Sequence, residues 1–224
     1  MLAIQNYSPT VLLCRIRNSR TPEEIFAMKN ARPYLLTTLI ESGAKPQNIN
    51  HLTTLVSDTI LEKFIEFAMS ELGPPPVPFS FIVFGSEGRE EQTLHTDQDN
   101  AIIYEDVDSG REETVRRYFL SMGEKVCTWL NDAGYTFCYG NNMAMNPEYC
   151  QPLSAWKQYF SRWVNMGSAE DLLIASLILT SRLHVEAAMG LALITQSGAF
   201  AITRMSNLES LSPSITATIG NQVD

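Results

Sequence analysis

The sequence predicts an α+β fold in which a mixed-sheet core is flanked by N-terminal and C-terminal helical regions. Three observations carry that reading. Phe79-Ser80-Phe81-Ile82-Val83-Phe84 is a nearly continuous apolar run, as expected of a strand buried on both faces. Helical spacing of apolar residues dominates before this run and returns after Pro152. Gly73-Pro74-Pro75-Pro76-Val77-Pro78 stands between the two patterns as a stiff, extended linker. The chain accordingly divides into a helical region over 1–72, a core over 73–150 and a short second helical region over 151–224.

Taken in order, Thr21-Pro22-Glu23-Glu24 reads as a helix start, with Thr as the N-cap, Pro at the first position and Glu at the capping-box position. Ile25 and Met28 supply its apolar side, and Pro33 is expected to break or kink it before Tyr34, Leu35, Leu36, Leu39 and Ile40 run on to Gly43. A second helix starts near Asn48–Asn50 and carries Leu52, Leu55, Val56, Ile60, Phe64, Phe67, Ala68 and Leu72 up to Gly73. In the core, Asn100 to Tyr104 and Tyr135 to Tyr139 are the second and third strands. Between them Val115, Phe119, Met122, Val126, Trp129, Leu130 and Ala133 mark a helix closed by Gly134. After Pro152, Trp156, Tyr159, Phe160, Trp163 and Val164 form an aromatic stripe at helical spacing, and Ser168 with Asp171 resembles another capped start. Beyond Ser206 the tail is rich in Ser, Thr and Asn.

Composition bounds the function. The chain has 224 residues with 16 Lys+Arg against 25 Asp+Glu, a net charge of −9. So acidic a surface argues against nucleic acid and anionic membrane as partners. The apolar stretch from Leu172 to Ile194 is interrupted by Arg182, His184 and Glu186, which is too broken for a membrane span. Met1-Leu2-Ala3-Ile4-Gln5-Asn6 lacks the pattern of a signal peptide. Cys14, Cys127, Cys138 and Cys150 form no C-x-x-C pair, and with His51, His95 and His184 they show no zinc-ligand spacing. Reduced thiols in a cytoplasmic protein are expected.

The chemistry lies between Phe84 and Asn100. Asp97 and Asp99, two apart at the start of a strand, place both carboxylates on one face. Such a pair repels unless a cation sits between its members, and hard oxygen donors suit Mg²⁺ or Mn²⁺. Gly85-Ser86 turns sharply out of the preceding strand, where backbone N–H groups and a hydroxyl can approach a phosphate. Arg89 adds a positive charge for the same phosphates. Each part alone has a bland reading: an ordinary turn, a solvated strand end, a surface ion-pair cluster with Glu87, Glu90 and Glu91. Their conjunction describes metal-dependent nucleotidyl or phosphoryl transfer.

A strand, Gly-Ser, then Asp-x-Asp about a dozen residues on resembles the DNA polymerase beta-like nucleotidyltransferase superfamily. More closely, Gly73-Pro74-Pro75-Pro76, Gly85-Ser86-Glu87-Gly88-Arg89-Glu90-Glu91-Gln92, Thr96-Asp97-Gln98-Asp99-Asn100-Ala101 and Leu153-Ser154-Ala155-Trp156-Lys157 resemble one bacterial nucleotidyltransferase family. Its members commonly stand behind CBS and cyclic-nucleotide-binding domains and are akin to PII uridylyltransferase and glutamine synthetase adenylyltransferase. The resemblance runs from about Thr21 to Leu183. It implies a polymerase-beta-like core and a substrate-binding role for the region over 151–224, which is short enough here to be truncated. It also implies a signal-transduction setting. Asp97 and Asp99 become the catalytic metal ligands, and Gly85, Ser86 and Arg89 bind the triphosphate of ATP or UTP. The superfamily places a third carboxylate on the strand after the intervening helix. Here Cys138 stands in its place, a soft ligand poorly matched to Mg²⁺, which implies transfer that is slow, that uses another acid such as Glu148, or that is absent. Thr180-Ser181-Arg182 replaces the family's Asp-Phe-Arg triplet.

Two readings stay open. One is an enzyme that transfers a nucleoside monophosphate from an NTP to a protein side chain or, as the less favoured acceptor, to a small molecule. The other is a non-catalytic Mg-nucleotide sensor, motivated by Cys138. A nucleic-acid polymerase or tRNA-end nucleotidyltransferase is disfavoured by the charge. A serine hydrolase on Ser86 fails because Phe84 stands where the elbow needs Gly. His95 and Lys157 are candidates for contact with the nucleotide, with exposed, roleless side chains as the default.

Overall fold

The computed structural model describes residues 8–92, 96–166, 182–187, 191–196 and 199–204, with side chains as far as Arg162 apart from Phe160. Among the described residues four helices come first: α1 (Pro9–Asn18), α2 (Pro22–Phe26), α3 (Ala31–Glu41) and α4 (Pro46–Leu72). The core follows as β1 (Phe79–Val83), the single turn α5 (Gly85–Gly88), β2 (Asn100–Tyr104) and α6 (Glu112–Asp132). Then come a 3₁₀ turn at Pro147–Tyr149, β3 (Cys150–Pro152), α7 (Leu153–Met166), and the strands β4 (Arg182–Ala187), β5 (Leu191–Gln196) and β6 (Ala199–Arg204). The main sheet has the order β3-β2-β1-β4. β1 is antiparallel to both neighbours, pairing Phe79 with Tyr104 and Val83 with Asn100 on one side, and β3 runs parallel to β2. The mixed sheet among helices is the α+β arrangement that the sequence predicts.

Every residue of β1 and β2 is buried, which is why these strands read as apolar runs and not as alternating ones. α6 supplies the cover. Phe119 lies against Phe79, with ring centroids 5.2 Å apart, and stacks on Tyr104 at 4.8 Å. α4 packs on α6 in turn, with Phe64 against Trp129 at 5.9 Å and Lys125 paired to Glu71 at 2.7 Å. One continuous apolar core therefore extends from Leu12 and Ile16 through Phe64 to Phe79, Phe119 and Cys150. The proline linker is strapped to this body. Tyr118 donates its hydroxyl proton to the Gly73 carbonyl at 2.7 Å, and Arg111 donates to the Pro76 carbonyl at 3.2 Å.

Several elements differ from the sequence reading. The first break falls at Ala27–Asn30, not at Pro33, because Pro33 sits in the first turn of α3, where a missing N–H costs nothing. α4 begins at Pro46, a little before Asn48. Tyr135–Tyr139 is not a regular strand, and Thr136 makes a single parallel bridge with Asp97. The third strand of this sheet half is the three-residue β3. Beyond α7, where helix was expected, Arg182–Ala187 is a strand on β1. Ser168, Asp171, Thr180, Ser181 and the tail beyond Ser206 lie outside the described residues, as does His95.

Candidate active site

β1 ends against the acidic pair. The Phe84 N–H donates to the Asp99 carbonyl at 3.0 Å, and the chain turns at Gly85, whose φ is +61°. A Cβ on Gly85 would collide with Asp99 Oδ2 and stand 3.1 Å from its Cγ. Only glycine, free to take the left-handed region and lacking a side chain, lets this turn lie against the carboxylate.

The segment leading into β2 alternates as an extended chain must. Thr96, Gln98 and Asn100 are buried, while Asp97 is exposed and Asp99 half-buried. The buried members are polar because they tie loops together. Gln98 donates through Nε2 to the carbonyls of Cys127 and Tyr135 at 3.0 and 2.9 Å. Asn100 Oδ1 accepts from the Ala144 N–H at 2.8 Å. With these side chains anchored inward, Asp97 and Asp99 share the opposite face.

Cys138 joins them. The Gln98 N–H donates to the Thr136 carbonyl at 3.0 Å and the Thr136 N–H to the Thr96 carbonyl at 3.2 Å, which draws the 136–138 segment alongside Asp97. One ligand atom from each of Asp97, Asp99 and Cys138 then lies within 4.8 Å of the others. Burial holds Asp99 above the usual carboxylate range. A hydrogen bond from the Cys138 thiol pulls it down, the Asp97 charge raises it, and Arg89 lowers it. Burial likewise pushes the Cys138 thiol up to about 11, so it keeps its proton at neutral pH. Two converging carboxylates, one exposed and one half-buried, would suit a hard divalent cation. The thiol adds a soft donor beside them.

Of the other residues singled out in the sequence, Gly85 is buried and Ser86 half-buried in the same turn. Arg89 is exposed and pairs with Glu91 at 2.8 Å. Glu148 is exposed in the Pro147–Tyr149 turn and is not part of the Asp97–Asp99–Cys138 group. Lys157 is exposed on α7, whose Trp156 is fully buried and donates to the Ile102 carbonyl at 3.2 Å. The described part of the aromatic stripe is thus packing. Sequence reasoning missed Tyr149, which stacks on Phe84 at 6.0 Å and donates to Asn142 Oδ1 at 2.7 Å. It also missed a buried polar layer under the site: Arg32, Ser57, Gln92, Thr96 and Tyr135. The Arg32 guanidinium lies 4.7 Å from the centre of the Tyr135 ring and reaches Thr96 Oγ1 at 3.4 Å. The signal for this layer was present in α4, where Thr53, Ser57 and Thr59 occupy inward positions of an otherwise apolar face.

Compared with known families, residues 30–170 match the one described as Putative nucleotidyltransferase DUF294. The match spans well over half of the chain and takes in the acidic pair, Cys138 and α7. Among curated proteins none matches the sequence.

Proposed function

The chain belongs to the putative nucleotidyltransferase family DUF294, and on that premise we propose that it moves a nucleoside monophosphate from an NTP to a protein side chain. The donor is ATP or UTP, the acceptor a protein as in PII uridylyltransferase, and the setting cytoplasmic signal transduction. The observation that carries the reading is the convergence of Asp97 and Asp99 on one face, against a turn that only glycine can make. These carboxylates hold Mg²⁺ or Mn²⁺, which when bound neutralises the triphosphate and stabilises charge on the attacking and leaving oxygens. Ser86, the backbone beside Gly85, and Arg89 orient the triphosphate. An acceptor hydroxyl oxygen then forms its bond to the α-phosphorus, the bond to pyrophosphate breaks, and the hydroxyl proton passes to water. The net charge of −9 disfavours a nucleic-acid acceptor.

The test is thermal unfolding with each of the four NTPs, with and without Mg²⁺. A nucleotide at 100 times its dissociation constant adds about 2.7 kcal/mol, or roughly 5–11 °C for a chain of this size. The shift should need Mg²⁺ and vanish in Asp97→Asn/Asp99→Asn. No shift with any NTP would overturn the reading. Cys138 supports a second one, a nucleotide sensor without transfer. Mg²⁺-dependent binding with no labelled acceptor would favour it. A weak transfer that Cys138→Asp strongly raises would count against it.

A further inference from the structure

The acidic pair is held from below by the N-terminal helices. Ser57, midway along α4, is 1% exposed, and its hydroxyl lies 2.7 Å from Gln92 Oε1 and 2.9 Å from the Tyr135 hydroxyl. Gln92 Oε1 and the Thr53 carbonyl, 3.2 Å from the same hydroxyl, can only accept and share the one Ser57 proton, so Tyr135 donates to Ser57. The Tyr135 carbonyl accepts from Gln98, the residue between the two acids, and Thr136 pairs with the backbone on either side of Asp97. At the other end Thr96 meets Arg32 of α3 at 3.4 Å. Both flanks of the loop that leads from α5 to Asp97, Gln92 before it and Thr96 after it, are therefore pinned to α3 and α4.

This layer is not an economical way to stabilise a core. Gln92 Nε2 and Gln98 Oε1 are buried with no hydrogen-bond partner among the described residues. An apolar pair would carry no such penalty. Local rules broken at this cost are characteristic of parts kept for geometry.

We propose that Ser57 and Tyr135 are positioning residues, through which α4 sets the placement of Asp97, Asp99 and Cys138. The claim rests on the reading of Asp97 and Asp99 as metal ligands. α4 then acts as a lever: a shift of this helix against the sheet releases Gln92 and Tyr135 together and loosens the site without touching it.

Amide hydrogen exchange of the full chain without ligand tests this. The peptides to follow span 96–100 and 134–139, in wild type, Ser57→Ala, Tyr135→Phe and the double variant. Ile60→Val, a buried apolar change on the same helix, serves as the control. Loss of one such hydrogen bond should speed exchange at the Gln98 and Thr136 amides roughly three- to tenfold, with the double variant no faster than Ser57→Ala. The control should leave those amides unchanged. Mn²⁺ affinity, read by electron paramagnetic resonance, should weaken by a similar factor in the hydroxyl variants and not in the control. Unchanged exchange at both amides in Ser57→Ala and in Tyr135→Phe overturns the proposal, whether or not the wild type binds Mn²⁺. Faster exchange in a protein that binds no Mn²⁺ overturns the metal reading and supports the positioning role.

Discussion

Replacing Gly85 with alanine probes the site at its tightest point, and Gly43→Ala provides the matched reference. Both glycines have positive φ, +61° and +74°. Around Gly43 a new Cβ would meet nothing within 4 Å, whereas at Gly85 it would collide with Asp99 Oδ2 and stand 3.3 Å from Asp99 Cβ. The left-handed backbone alone costs an L-residue about 1–2 kcal/mol. Crowding a packed site adds about 1–3 kcal/mol. Gly43→Ala should therefore lower the melting midpoint by roughly 2–8 °C, and Gly85→Ala, at about 2–5 kcal/mol, by roughly 4–20 °C. Only Gly85→Ala should also abolish the Mg²⁺-dependent shift with nucleotide, because Asp99 must rotate away to admit the methyl group. Differential scanning calorimetry with and without Mg-NTP measures both effects. Equal midpoints for the two variants, with nucleotide binding intact in Gly85→Ala, would refute the claim that this turn and Asp99 share their space.

Other outcomes follow from the packing. Gly123 lies inside α6, where alanine ordinarily stabilises a helix by about 1 kcal/mol. Here its Cβ would run into the Ala144 carbonyl oxygen, with the carbonyl carbon 2.6 Å away. Gly123→Ala should instead destabilise by about 1–3 kcal/mol in urea titrations. Burial pushes the Cys127 and Cys150 thiols up to about 12 from an ordinary value near 9. The unfolded chain loses these protons first, so their contribution is intact below pH about 9 and falls as pH rises toward 12. Each thiol should cost about 1.4 kcal/mol by pH 10, and Cys150→Ala should flatten the pH dependence of the melting midpoint above pH 9. The exposed Lys125–Glu71 pair joins α6 to α4 at 2.7 Å. Glu71→Gln should nevertheless move stability by less than about 1 kcal/mol, and less again in high salt.

Much of the architecture was legible because burial imposes periodicity. α4, α6, β1 and β2 each present a single pattern, 3.6 residues or a solid apolar run, and each appears close to the position read from sequence. Helix punctuation was legible too: Gly43, Gly73 and Gly134 all take positive φ at helix ends. What failed was short or governed by distant partners. β3 is three residues with a proline, too brief to show a period. Tyr135–Tyr139 has strand-like composition but uses its backbone for one bridge and a turn at Asn141. Arg182-Leu183-His184-Val185-Glu186-Ala187 does alternate polar and apolar residues, a strand signal outweighed by the helical reading of its surroundings. At the site, Gly85, Asp97 and Asp99 could be read from motif spacing, and the placement of Cys138 beside them followed from the resemblance. The polar layer beneath could not be read, since Ser57 and Tyr135 are 78 positions apart and meet only through the packing of α4 on the core.

The pairing of β4 with β1 separates two meanings of the word domain. The family match ends at residue 170, yet β1, the strand whose end carries the turn at Gly85, is hydrogen-bonded along one side to residues 182–187. The unit that recurs among relatives and the unit that closes its own sheet do not share a boundary. A chain cut where the family match ends would leave β1, buried throughout, as an open edge presenting unpaired N–H and C=O groups. Such an edge invites pairing with another copy. Expression of residues 1–170 should yield aggregates, and expression of residues 1–187 should restore a monodisperse fold.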